Sequence, residues 1–94
     1  MNKKELIQNI SYKTGVKAKD VESITNAILD VIKDEVANEG KVQIVGFGTF
    51  EIRRRQAREG FNPMTKEPIV IPESTVPVFR PGKEFKEFVK RSRG

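Results

Sequence analysis

Four arginines within six positions, Arg53, Arg54, Arg55 and Arg58, have no acidic residue among them and form the densest chemical feature of the chain. Grouped guanidinium groups create a local positive field and offer forked donors to phosphate, so the chemistry they suit is recognition of a polyanion. The cluster is part of a wider asymmetry. Residues 1–50 carry seven lysines against seven acidic side chains, whereas residues 51–94 carry eleven basic residues against six acids and hold the whole excess of a chain of net charge +5. All seven arginines lie at or beyond position 53. Lysine would serve solubility equally well, whereas arginine is favoured where a narrow, electronegative minor groove is read. A membrane surface fits less well, because the run lacks the amphipathic helical spacing of an interfacial anchor. The competing reading is an edge strand kept soluble by charge.

Other chemistries are short of residues. The 94-residue chain has no Cys, no His and no Trp, which removes thiolate nucleophiles, imidazole bases and soft-ligand zinc or iron–sulfur sites. Glu59, Glu67 and Glu73 fall on an extended basic segment or its root, with no pocket expected to perturb them. Gly46-Phe47-Gly48 lacks the third glycine and the following helix of a phosphate-binding loop, and reads as a strand connection instead. No catalytic residue, metal ligand, cofactor or small-molecule substrate is therefore expected. The longest uncharged stretch, Val42 to Phe50, is too short to span a bilayer, and the start MNKKE lacks the apolar run of a secretory signal, so a cytoplasmic protein is expected.

Two further groups each admit a plain reading and a functional one. Phe61-Asn62-Pro63 is a turn signal, and it also places a rigid ring and an aromatic side chain where a basic ribbon would end, as a wedge between base pairs requires. Lys83, Lys86 and Lys90 form one stripe, which suits either a solvated helix face or phosphate on the flank of a duplex.

The elements that must position these groups follow from periodicity. Leu6, Ile7 and Ile10 mark a helix from about Lys3 to Lys13 with Asn2 as its N-cap, and Gly15 ends it. Val21, Ile24, Ile28, Val31, Ile32 and Val36 mark a second helix over 18–38, closed by Gly40. From Lys41 the period becomes two. Val42 and Ile44 form a strand, residues 46–48 a tight hairpin, and Phe50 and Ile52 the inner face of a second strand that continues into the arginines. Arg53 and Arg55 then share one face, Arg54 and Arg58 the other. Gly60, Asn62, Pro63 and Thr65 form a turn cluster, and Ile69, Ile71, Val76 and Val78 bring the chain back. All five prolines lie between 63 and 81, so Pro72 and Pro77 predict a bulged or edge return strand. Residues 83–91 read as a short helix with Phe85, Phe88 and Val89 on one face.

This order predicts an α+β fold: two N-terminal helices, a three-stranded antiparallel sheet with an extended β-ribbon arm at about 53–76, and a short C-terminal helix, all in one domain spanning 1–94. Setting the arm aside leaves about seventy residues for a core, a size at which dimerisation is expected.

The segments MNKKELI, KVQIVGFGTFEIR at 41–53, AREGFNPMTKEP at 57–68 and IPESTVPVFRPGKEFK at 71–86, in that order, resemble the bacterial HU/IHF family of histone-like DNA-binding proteins, closest to the HU type, over essentially the whole chain. The resemblance implies an intertwined dimer in which two ribbon arms embrace double-stranded DNA through its minor groove and the tip proline kinks it. It implies DNA contacts at Lys3, Arg53, Arg55, Arg58, Asn62, Pro63, Arg80, Lys83 and Lys86, and a dimer core at Phe47, Phe50 and Phe79; the arginine run and the tip themselves add Arg54 and Phe61 to the expected DNA-binding residues. Two positions depart from the family pattern. Phe61 stands where most members carry Arg, which removes a phosphate contact, and Arg54 replaces a residue that is frequently acidic.

The leading expectation is a homodimeric, nucleoid-associated protein that bends and compacts DNA with low sequence specificity and favours bent, nicked or gapped forms. The alternatives are a sequence-specific IHF-like architectural factor and an interaction protein whose ribbon adds to an acidic partner's sheet.

Overall fold

The computed structural model describes residues 1–93, which form three helices and five strands. Helix α1 spans Lys3–Thr14. Asn2 starts it, its side-chain oxygen accepting the Glu5 N–H at 2.9 Å, and Gly15 ends it in the left-handed region at φ 75°, donating to the Ser11 carbonyl. Helix α2 spans Ala18–Ala37. Two compact units divide the chain, residues 1–34 and 35–94.

In the first unit the buried residues are Ile7 of α1 and Val21 and Thr25 of α2. The periodic apolar set of α2 does not form one covered stripe. Ile24, Ile28 and Val31, spaced at four and three, remain 58%, 52% and 64% exposed. An apolar helix face of that extent is uncovered within a single copy of the chain.

The second unit opens at the end of α2, where the sequence reading needs a correction. Glu39, not Gly40, takes the left-handed conformation, at φ 65°. The Glu39 N–H donates to the Val36 carbonyl and the Gly40 N–H to the Glu35 carbonyl, the paired bonds of a Schellman ending in which Glu39 is the left-handed residue and Gly40 the one after it.

Strand β1 (Val42–Ile44) and strand β2 (Gly48–Arg55) form an antiparallel hairpin. The connection is Val45-Gly46-Phe47, with Gly46 at φ 84° and the Phe47 N–H donating to the Ile44 carbonyl. The tight hairpin expected there is present. Gly48 is required by its surroundings: a Cβ would lie 2.6 Å from ring atoms of Phe79 and 2.7 Å from the Arg80 carbonyl oxygen.

The return segment is two strands rather than one. Strand β3 (Arg58–Phe61) and strand β4 (Pro68–Ile71) make a separate two-stranded ribbon, and strand β5 (Ser74–Pro81) completes a three-stranded sheet in the order β1-β2-β5. Strand β5 is an edge, which is where its prolines are tolerated. The register is the same on both sides of the interruption, from Arg55↔Ser74 to Arg58↔Ile71, so no residue is inserted and there is no bulge. Counted through in that register, Pro72 falls opposite Ala57, inside the gap, where it has no N–H to give a ladder. Gly60, expected in the tip turn, instead lies within β3 opposite Ile69. A Cβ at Gly60 would come within 2.9 Å of the Ile71 Cδ1 atom, so the isoleucines of β4 cover it.

Helix α3 spans Lys83–Ser92, one residue longer than expected, and begins at Gly82, whose N–H donates to the Phe47 carbonyl at 2.8 Å. Val36 is the buried apolar residue of this unit, and no large side chain anywhere in the described residues is fully enclosed.

Candidate nucleic-acid interface

Strand β2 sorts the arginines by alternation. Residues 49, 51, 53 and 55 share the face that also carries Arg80, which pairs with Thr49 across the sheet. Arg80 donates to a Glu51 carboxylate oxygen at 3.0 Å, and the Glu51 side chain is largely covered, while that of Arg80 is exposed. Arg53, Arg55 and Arg80 are thus brought together on one face at the arm's root. Among the described residues, Arg53, Arg55 and Arg58 have no carboxylate within ion-pairing distance. An exposed guanidinium with no protein counter-ion keeps its full set of donors for an external anion. Arg54 lies on the opposite face, with Phe50 and Ile52, and its guanidinium pairs with Glu39.

The tip is closed by Asn62. Its N–H donates to the Glu67 carbonyl at 2.9 Å, and its carbonyl accepts the Lys66 N–H at 2.7 Å. Its side-chain oxygen accepts the N–H groups of Met64 at 2.9 Å and Thr65 at 3.4 Å. Lys66 makes the reversal at φ 61°. The loop therefore has its own hydrogen bonds and needs no contact elsewhere to hold Pro63 at the end of the ribbon. Phe61 does not fold away: it is 61% exposed, and Met64 is 90% exposed. Met64 is a tip residue that sequence reasoning missed, because a lone methionine in a turn carries no periodic signal. Val70 of β4 adds further exposed apolar surface to the arm.

Lys83 and Lys86 lie exposed in the first turn of α3, with Lys90 one turn further on. Lys3 is exposed at the start of α1, in the other unit. The aromatic residues expected in a core do cluster. Ring centroids are 5.3 Å apart for Phe47 and Phe79 and 4.7 Å for Phe50 and Phe79. Phe85 joins them, 5.0 Å from Phe47 and 6.2 Å from Phe79, a fourth member that periodicity alone places only on a helix face. Pairs at these separations and tilts are favourable beyond the area they bury.

An open groove beside this cluster is lined by Phe47, Phe85 and Phe88, with Glu84, Glu87 and Arg91 as its charged groups. It brings together no nucleophile and base of the kinds that acyl or phosphoryl chemistry uses. Among the described residues no group of three or more His, Cys, Asp or Glu side chains is arranged to hold a metal ion, and no helix is long and apolar enough to cross a membrane.

Comparison with known proteins gives a consistent result. The family model described as bacterial DNA-binding protein matches residues 1–90. The chain is 54% identical over 90 residues to the DNA-binding protein HU of Thermotoga maritima, covering 96% of this chain and all of that protein. It is 50% identical over 91 residues to the DNA-binding protein HU of Clostridium pasteurianum, covering 97% and 100%. Among solved structures, an Anabaena HU–DNA cocrystal superposes with a TM-score of 0.85 at 45% identity, covering 95% of this chain and 97% of that one.

Proposed function

The chain belongs to the bacterial DNA-binding protein family, and on that premise we propose that it is a histone-like architectural protein that binds and bends double-stranded DNA as a homodimer. The observation that carries this reading is the arm. It is a two-stranded ribbon with Arg53, Arg55 and Arg58 unpaired at its root and Pro63 held at its end by the hydrogen bonds of Asn62. A ribbon of this kind fits a groove, its arginines supply affinity through phosphate, and an apolar tip of Phe61, Pro63 and Met64 can enter an opened base step in the minor groove. Arg80, Lys83 and Lys86 extend the basic surface of the second unit, and Lys3 adds an exposed cation to the first.

The dimer supplies what one chain lacks. The exposed face at Ile24, Ile28 and Val31 and the partly exposed rings of Phe47 and Phe79 are apolar surface that a second copy would cover. Specificity in this reading is low, because the contacts go to phosphate and to deformable steps rather than to major-groove base edges. The family points to a non-enzymatic role on the bacterial nucleoid.

The test is a gel-shift titration against one duplex in linear, nicked and gapped forms at two salt concentrations. Tighter binding to the nicked and gapped forms is expected, with affinity falling about 10³- to 10⁵-fold between 50 and 200 mM salt if six to ten phosphates are neutralised. Equal, salt-insensitive binding to all three would overturn the proposal.

A further inference from the structure

Arg54 differs from its neighbours in where its charge is spent. Alternation along β2 puts it on the face of Phe50 and Ile52, away from Arg53 and Arg55. There its guanidinium donates to the carboxylate of Glu39, fifteen residues earlier in the chain. Glu39 is itself tightly placed. It is the left-handed residue of the turn that ends α2, and the N–H bonds of Glu39 and Gly40 back to Val36 and Glu35 hold that turn closed. A left-handed backbone is costly for a residue with a Cβ, and the closed turn fixes the backbone from which the Glu39 side chain reaches Arg54.

The ion pair falls on the last stretch of continuous ladder. Arg54 pairs with Thr75, Arg55 with Ser74, and beyond them the hydrogen-bonded ladder stops until Arg58 and Ile71. The ribbon is thus interrupted from Gln56, two residues past Arg54, and the ion pair fastens the strand on the near side of that gap.

We propose that Arg54 is a positioning residue: with Glu39 it ties the root of the arm to the turn after α2, setting the direction in which the arm leaves the sheet, and it does not contact phosphate. The second half of this statement rests on the DNA-binding reading above. For Arg54 to reach a polyanion it would have to release Glu39, leaving a carboxylate unpaired near the phosphates, a like-charge arrangement that opposes binding. Arg53 and Arg55 carry no such obligation.

Two measurements decide it. The first needs no DNA: amide exchange of residues 52–55 and 74–76 in the free protein, for wild type, Glu39→Gln, Arg54→Gln and the swap Glu39→Arg/Arg54→Glu. Each single change should raise exchange at the root about two- to five-fold, as loss of an exposed ion pair allows, and the swap should restore it. The second is the salt dependence of binding to the nicked duplex. Arg55→Gln should flatten the slope by about one unit, while Arg54→Gln should keep the wild-type slope. Unchanged exchange in both single variants overturns the brace, and a slope flattened by about one unit in Arg54→Gln assigns that side chain to phosphate instead. Failure of the wild-type protein to bind any duplex would remove the DNA-binding reading, and the exchange measurement would still judge the brace by itself.

Discussion

Phe50 and Phe79 face each other across β2 and β5, their ring centroids 4.7 Å apart and their planes tilted by 42°. The pair is the inner end of an aromatic cluster that continues through Phe47 and Phe85, yet the rings of Phe47 and Phe79 remain 43% and 37% exposed. A cluster so placed completes its burial only against another surface, and the proposed dimer provides one.

The midpoint of thermal unfolding should therefore rise with protein concentration, because association stabilises the folded chain by mass action. Phe79→Ala should cost about 3–5 kcal/mol and shift sedimentation at micromolar concentration toward monomer. A concentration-independent midpoint for the wild-type protein would contradict an obligate dimer.

Gly48 lies under the same cluster. A methyl group there meets the ring of Phe79 and the backbone carbonyl of Arg80, and the backbone cannot swing aside as the tip of a side chain can. Gly48→Ala should destabilise the protein by about 1–3 kcal/mol, the usual range for overpacking, read as a lower denaturant midpoint with little change in slope. Gly60→Ala should be milder, since the atoms it meets belong to the flexible end of Ile71.

At the tip, Asn62 and Pro63 carry separate jobs that separate variants can resolve. Pro63→Ala should reduce the bend angle, measured by fluorescence transfer between duplex ends, while leaving the dimer and its melting midpoint intact. Asn62→Ala removes the acceptor for the Met64 and Thr65 N–H groups and should loosen the loop, reducing bending while Pro63 is still present. Bend angles equal to wild type in Pro63→Ala would remove the wedge from the mechanism.

At the arm, Arg55→Ala and Arg58→Ala should weaken binding to all sequences about equally and flatten the salt slope by about one unit each. A loss confined to particular sequences would instead indicate base readout.

Phe61 offers a test of the apolar tip. Phe61→Arg replaces exposed ring surface with charge, and it should raise affinity for intact duplex at low salt while narrowing the preference for nicked over intact DNA. A preference that is unchanged would limit Phe61 to packing within the arm.

Much of this arrangement is legible in local pattern. The Asn2 cap and Gly15 stop of α1, the length of α2, the hairpin at Val45-Gly46-Phe47, the edge position of the proline-bearing strand and the opposition of Arg53 and Arg55 to Arg54 all follow from short-range rules of periodicity and turn chemistry. So does the segregation of charge that points to a polyanion, because net charge and its distribution are properties of the chain before it folds.

The remainder depended on hydrogen-bond geometry at a helix end and on which groups meet through space. Gly40 has the better residue type for a left-handed ending, but hydrogen bonds to Glu35 and Val36 put that conformation on Glu39. Gly60 reads as a turn residue, yet cross-strand register places it beneath Ile71 within β3. Phe85 enters the aromatic cluster because α3 turns back at Gly82 onto the carbonyl of Phe47, a contact between residues 35 positions apart that no local window contains. Arg54 looks like one cation among four until the fold brings Glu39 beside it. Composition and periodicity determined a positive field suited to a polyanion and the elements that carry it, since both are set by neighbours along the chain. Tertiary structure alone decided which arginines remain unpaired, because pairing depends on a partner that only folding delivers.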